Sequence, residues 1–344
     1  MLEDGTDQPR NPETIPIVAV TMGDAAGIGP EIILKALSDP DLSKVSRNVV
    51  VGDAAVLEKT AKHLGLPLSF VPFADTPARP DEAVEVVDLA NIAGSLAIGR
   101  ESAEAGRASA EYIETAVRLW REKKVDAIAT APINKASLVL GGYNFPGHTE
   151  FLAKLTGTRK FAMSFFAERL RVVLLSTHLS LQSAIDLVTR KNLVGLIEFT
   201  DVEIGKLLHR KIRIAVAGLN PHASEGGLFG DEEQKEIIPA IKYCRDKGIN
   251  VAGPFSPDTI FLRGFNGDFD AVVACYHDQA TIAVKSLSFG SSVNVTLGLP
   301  LIRTSVDHGT AFDIAGRGVA DASSMKAAIR LASELVNIRA EATA

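Results

Sequence analysis

Short apolar, β-branched runs alternate with longer stretches of helical spacing along almost the whole chain. IPIVAV, RNVVVGD, VEVVDL, VDAIAT, KIRIAVAG and DAVVAC are bounded by polar residues or glycine, the pattern of buried strands. KFAMSFFAERLRVVLL reads as two further strands joined through the polar AERL turn. Between the strands, IGPEIILKAL, DAAVLEKTAKHLG and SAEAGRASAEYIETAVRLWREKK carry apolar residues at helical spacing. DEEQKEIIPAIKYCRDKG opens with acids and closes with basic residues and glycine, matching the helix dipole at both ends. A helical stretch is expected from Leu181 to Arg210 with a break near Lys191, and DASSMKAAIRLASELVNIRAEA predicts a terminal helix. INVAGPFSPDTIF reads as a strand and loop, SVNVTLGLP and LIRTSVD as extended segments, and HGTAFDIAGRG as a glycine-rich turn around a short helix. This alternation predicts a three-layer α/β architecture.

Chemistry-bearing residues are densest between Asp270 and Gly318. Ligands of open α/β sheets bind outside the carboxyl ends of strands, and DAVVAC delivers YHDQ there, with His277 and Asp278. Lys285 follows two helical turns on, and Asn294 and Arg303 sit in the extended segments. His178 and His222 end two other predicted strands. Any one of these histidines is more simply a satisfied structural residue. Three neutral imidazoles brought together from separate strand ends would instead make an open three-ligand metal site, although spacing leaves their convergence undecided. His148 and Thr149 open a helix after a Pro-Gly turn, where Thr149 serves equally as cap or ligand contact. GDAAGIGPE is a strand-to-helix loop with amides suited to an anion, yet it lacks the G-x-G-x-x-G order and serves equally as a tight turn. His63, late in its helix, is expected to favour the helix dipole alone.

Composition narrows the picture. The 344 residues allow two domains, and a net charge of −6 gives no sign of a nucleic-acid partner, so an anionic substrate needs a local basic cluster. Two cysteines, Cys244 and Cys275, form no disulfide framework and fit a cytoplasmic location. Cys275 is expected to be a small buried hydrophobe before it is a thiolate ligand. No run is long and apolar enough for a membrane partner. MLEDGTDQPRNPETI has no apolar core and reads as a frayed tail rather than a signal peptide.

From TMGDAAGIGPEI to RTSVDHGTAFDIAG, with GHTEF, STHLSL, GLNPHASEGG, ACYHDQ and VNVTLGLPLIRTSVDHGTA between, the chain resembles the 4-hydroxythreonine-4-phosphate dehydrogenase family. The resemblance implies a divalent metal at His178, His222 and His277, with zinc placed ahead of cobalt, manganese or magnesium because imidazole suits it. It implies substrate contacts at His148, Thr149, Lys285, Asn294 and Arg303. GIGPE and GTAFDIAGRG are also similar to segments of isocitrate and isopropylmalate dehydrogenases, which implies two α/β/α domains with a cleft between them. Residues 1–146 plus 298–344 would form one domain and 147–297 the other. In that superfamily the HGTAFDIAG loop holds adenosine, which points to Gly309, Asp313 and Ile314 as cofactor contacts and to NAD, because the Asp313 carboxylate repels a 2′-phosphate.

The implied reaction is NAD-dependent oxidation of a phosphorylated four-carbon 3-hydroxy acid, followed by β-decarboxylation to dihydroxyacetone phosphate. Lys285 and Asp278 are the catalytic candidates, with Lys285 equally an anion contact. A homodimer is implied, its metal site shared as His178 and His222 from one chain and His277 from the other. SEGGLFG, with Ser224 and Leu228, and GPFSPDTIF resemble the branch acting on 4-phospho-D-threonate or D-erythronate 4-phosphate more than the vitamin B6 branch acting on 4-hydroxythreonine 4-phosphate. Two other classes remain at this level: a metal-dependent hydrolase and a non-catalytic sugar-phosphate-binding protein.

Overall fold

IVAVT forms β1 (Ile17–Thr21), buried along nearly its whole length because strands flank it on both sides. The computed structural model describes residues 15–74, 83–94, 96–288 and 290–341, so the N-terminal tail lies outside the described residues. The other strands are β2 (Arg47–Gly52), β3 (Ser69–Pro72), β4 (Ala83–Asp88), β5 (Ala127–Thr130), β6 (Ala162–Ala167), β7 (Leu170–Leu174), β8 (Ile214–Ala217), β9 (Val251–Phe255), β10 (Ala271–Ala274), β11 (Val293–Leu297) and β12 (Ile302–Ser305). The helices are α1 (Gly29–Leu37), α2 (Pro40–Ser43), α3 (Ala54–Leu64), α4 (Ala103–Arg121), α5 (Lys135–Leu140), α6 (His148–Thr156), α7 (Leu181–Asp186), α8 (Arg190–Leu208), α9 (Ile238–Asp246), α10 (Pro257–Phe265), α11 (His277–Leu287) and α12 (Ser323–Glu341).

Among the described residues twelve strands form one mixed sheet in the order β3-β4-β2-β1-β5-β12-β11-β6-β7-β10-β8-β9. From β3 to β12 every pairing is parallel, as is every pairing from β7 to β9. Between these blocks β12–β11, β11–β6 and β6–β7 are antiparallel. Three successive reversals leave the two parallel blocks running in opposite directions. Residues before 147 and after 297 supply the first block, and residues between supply β6 to β11.

Helices cover both faces. Along β7, Val173 belongs to the large core shared with β10 and α8, whereas Val172 belongs to a smaller cluster with Ile260 of α10 and Val284 of α11. That alternation is the period-two signature of a strand buried on both faces. Helix starts are set locally: Asp53, Ser102, Asn134 and Thr189 accept amides in the first turns of α3, α4, α5 and α8. Thr189 thereby places the break before α8 at residues 187–189, just ahead of Lys191.

Two local expectations are corrected. PDTIFLRGF is helical (α10), because proline stands within its first turn and Ile260, Phe261 and Gly264 are buried at helical spacing. HGTAFDIAGRG contains turns and no helix, with Ala311, Gly316 and Gly318 at positive φ, a conformation a right-handed helix excludes.

Candidate active site

Where the two parallel blocks meet, a cleft of about 440 Å³ is lined from β5, β12, β11 and β7 and from the start of α6. Its most buried corner holds Arg303 on β12, 3% exposed. The guanidinium donates through Nη1 to Thr296 Oγ1 at 2.9 Å and through Nη2 to Thr130 Oγ1 at 2.8 Å. Burial pulls its pKa down, with Glu150 opposing. His148, the first residue of α6, is half-buried with its Nε2 fully enclosed, and desolvation followed by repulsion from Arg303 holds its imidazole well below the usual pKa of 6.5. It is therefore neutral at pH 7.

Arg303 Nε, His148 Nε2 and Asn294 Oδ1 are buried without a hydrogen-bond partner among the described residues. Unpaired buried polar atoms are costly, and three lining one cleft mark a place for a polar ligand. The corner supplies the local positive charge that an acidic chain needs for an anionic substrate. Thr149 does not cap α6: Gly147 is its N-cap, no side chain caps it, and Thr149 Oγ1 lies 3.4 Å from Thr296 Oγ1. Thr130, Lys135, Glu150 and Thr296 were not legible as site residues, since each belongs to an otherwise ordinary strand or helix.

The three histidines follow the carboxyl ends of β7, β8 and β10, which are neighbours in the order β7-β10-β8. His178 and His277 lie with ring centroids 5.6 Å apart. Burial, then the charges of Lys135 and His277, lowers the His178 pKa, so its ring is a neutral donor. His277 Nδ1 is 3.1 Å from the exposed Asp278 carboxylate, which can orient the ring. His222 makes its ring contact with Phe229, at 6.4 Å between centroids. Among the described residues no three His, Cys, Asp or Glu side chains form a metal-holding group. The donor chemistry fits a divalent ion through two imidazoles of one chain. Within one chain the neighbouring imidazole rings are those of His178 and His277. Cys275 adds no ligand; burial pushes its thiol up to about 12, and Sγ faces Ala217 O at 3.6 Å.

His222 sits in a turn of unusual backbone. His222, Ala223, Ser224 and Glu225 have φ of 52°, 52°, 63° and 47°. Consecutive left-handed non-glycine residues cost roughly 1–2 kcal/mol each. Of the branch-marking positions, Ser224 belongs to this segment and Leu228 follows it, and neither lines the cleft.

Lys285 stands 3.6 Å from Asp307 Oδ2, which also accepts from Ser292 Oγ at 3.0 Å. His308 and Gly309 line the cleft. The following loop, with Asp313 exposed and Ile314 half-buried, is clamped to α1. Ile28 N donates to Thr310 O at 3.0 Å, and Glu31 accepts the amides of Gly318 and Ala320 at 3.3 and 2.7 Å. Lys35 donates to the carbonyls of the same two residues at 2.9 and 2.8 Å. A Cβ on Gly27 would fall 2.9 Å from Thr310, so glycine permits the approach. GIGPE thus holds the GTAFDIAGRG loop, a pairing no local pattern announces. Gly27, Glu31 and Gly316 also line a second cavity of about 320 Å³, together with His63.

The fold and cleft define an α/β protein with an enclosed polar site for a ligand. Residues 44–332 match the model of the family described as pyridoxal phosphate biosynthetic protein PdxA, and the chain belongs to that family. It is 47% identical over 337 residues to the D-threonate 4-phosphate dehydrogenase of Cupriavidus necator, covering 95% of this chain and 99% of that protein. It is 46% identical to the 4-hydroxythreonine-4-phosphate dehydrogenase of Desulforapulum autotrophicum, covering 92% and 95%. The crystal structure of 4-hydroxythreonine-4-phosphate dehydrogenase from Klebsiella pneumoniae superposes with a TM-score of 0.87 at 43% identity, covering 94% of this chain and 99% of that one. The chain is an enzyme of the dehydrogenase class, which sets aside the hydrolase and binding-protein readings. Among the described residues no helix is long and apolar enough to cross a membrane.

Proposed function

We propose that this dehydrogenase oxidises the 3-hydroxyl of a phosphorylated four-carbon acid, 4-phospho-D-threonate or D-erythronate 4-phosphate, with NAD, and that β-decarboxylation yields dihydroxyacetone phosphate. The observation that carries the reading is the buried corner of Arg303, His148 and Asn294, a charged donor beside unpaired polar atoms. Arg303, His148, Thr149 and Asn294 bind and orient the substrate's anionic and hydroxyl groups, and depth in the cleft excludes water from them. His178 and His222 of one chain and His277 of a second copy hold a divalent ion, zinc ahead of cobalt, manganese or magnesium. Such an ion, when bound, lowers the pKa of the substrate hydroxyl and stabilises charge developing on oxygen. Lys285, beside Asp307, and Asp278, beside His277, are the side chains offered for moving the hydroxyl proton. Gly309, Asp313 and Ile314 hold the dinucleotide, and the loop's clamp to α1 orients them.

A homodimer is part of this reading. Leu179 and Leu181 beside His178, and Leu228 beyond His222, are more than half exposed, with Phe229 nearly so, an apolar setting suited to a second copy. Residues 1–146 plus 298–344 and residues 147–297 act as two domains about the cleft, within the cytoplasm.

A second reading has its own support. Glu150 lines the cleft, and a carboxylate there suits the ammonium at C2 of 4-hydroxythreonine 4-phosphate. Relatives carrying the two activity names match this chain almost equally well. The deciding measurement is kcat/KM for both substrates side by side, followed as NADH absorbance. The 2-hydroxy acid is expected to be preferred; a tenfold preference for the amino compound, about 1.4 kcal/mol of transition-state discrimination, would overturn the choice.

A further inference from the structure

We propose that Glu233 is the positioning residue of His222, holding the left-handed turn that presents this imidazole; the inference rests on the metal-site reading above. Glu233 opens the π-helical turn Glu233–Ile237 and is fully buried. Its Oε1 accepts the amides of Leu219 and Asn220, both at 2.8 Å, and its Oε2 accepts Asn220 Nδ2 at 2.9 Å. All three bonds end on the two residues that precede Pro221 and His222. A buried carboxylate accepting three donors makes strong, directional bonds.

The four residues that follow are held in a backbone region that persists only when surroundings over-determine it. Three further contacts complete that constraint. Ser224 is buried, and its carbonyl accepts the amides of Gly227 and Phe229 at 3.0 and 3.2 Å. A Cβ on Gly218 would lie 2.8 Å from Ala223 Cα, so the turn folds back on the exit of β8. Gln279 of α11 donates to Gly218 O at 2.8 Å and accepts Cys275 N at 2.8 Å, tying the root of the His222 turn to the root of the His277 helix. Strain concentrated at a histidine and anchored by a buried acid has the form of a preorganised ligand, not of a chance loop.

The test is cobalt(II) binding to metal-free full-length protein, read from its visible absorption, for wild type, His222→Ala, Glu233→Gln and Gln279→Leu. Circular dichroism checks the fold of each. Glu233→Gln places an amide donor against Asn220 and is expected to weaken cobalt binding at least tenfold and alter the spectrum, as His222→Ala does. Gln279→Leu, a milder change, is expected to weaken it severalfold. Wild-type affinity and spectrum in both Glu233→Gln and Gln279→Leu would overturn the proposal. If His222→Ala itself binds cobalt like wild type, the metal reading fails separately. Amide hydrogen exchange at residues 222–226 then decides the anchoring: a tenfold rise in Glu233→Gln supports it, and unchanged protection overturns it.

Discussion

Glu31, in the first turn of α1, accepts the backbone amide of Ala320 at 2.7 Å across 289 residues of sequence. With Lys35 it fixes both ends of the peptide groups at Gly318 and Ala320, beyond Asp313 and Ile314. Glu31→Gln replaces one carboxylate oxygen by a donor facing other donors. Stability is expected to fall by about 1–3 kcal/mol, the cost of a buried donor left unpaired. KM for NAD is expected to rise severalfold with kcat little changed. An unchanged KM for NAD would separate the clamp from cofactor binding.

Arg303 binds two threonines on two strands, and its Nε faces no partner. Arg303→Met is expected to lower kcat/KM for the phosphorylated acid by about 100-fold, ~2.7 kcal/mol at 1.36 kcal/mol per decade. Arg303→Lys is expected to recover little, because a point charge cannot reproduce the planar fork. Steady-state kinetics with thermal melting as the fold control would check both.

His148 and His178 both have depressed pKa values in the folded chain, through burial first. The unfolded chain therefore takes up their protons first as pH falls through about 6.5, and stability present above that pH is lost below it. His148 contributes a slope of at most ~1.4 kcal/mol per pH unit, and the exposed His178, screened by solvent, contributes less. Urea melts of the metal-free protein between pH 5 and 8 are expected to show this slope, and His148→Gln is expected to reduce it. An unaltered slope in His148→Gln would contradict a desolvated, neutral His148.

A site that takes His178 and His222 from one chain and His277 from the other makes a discriminating complementation prediction. Mixing His178→Ala with His277→Ala chains under subunit exchange is expected to restore activity, since one composite site keeps all three ligands. Mixing His178→Ala with His222→Ala is expected to restore none. Recovery in the second mixture alone would place His277 in the same subunit as His178.

Much was legible without coordinates. Apolar β-branched runs located β1, β2, β4, β5, β8 and β10, because a strand buried on both faces is lined mostly by apolar side chains. The residues His148, Asn294 and Arg303 were legible too, from their motifs and family resemblance. What tertiary structure alone decided is where side chains distant in sequence meet. Register across β5, β12 and β11 brings Thr130 and Thr296 to Arg303. The antiparallel step through β11 and β6 turns two parallel blocks toward one cleft. The adjacency of β7 and β10 pairs His178 with His277. Glu31 and Glu233 could not be recognised as anchors, since their partners are backbone amides, which every residue but proline carries. Local pattern determines which segments fold into strands and helices; hydrogen bonds to the common backbone leave no mark in sequence until the chain has folded.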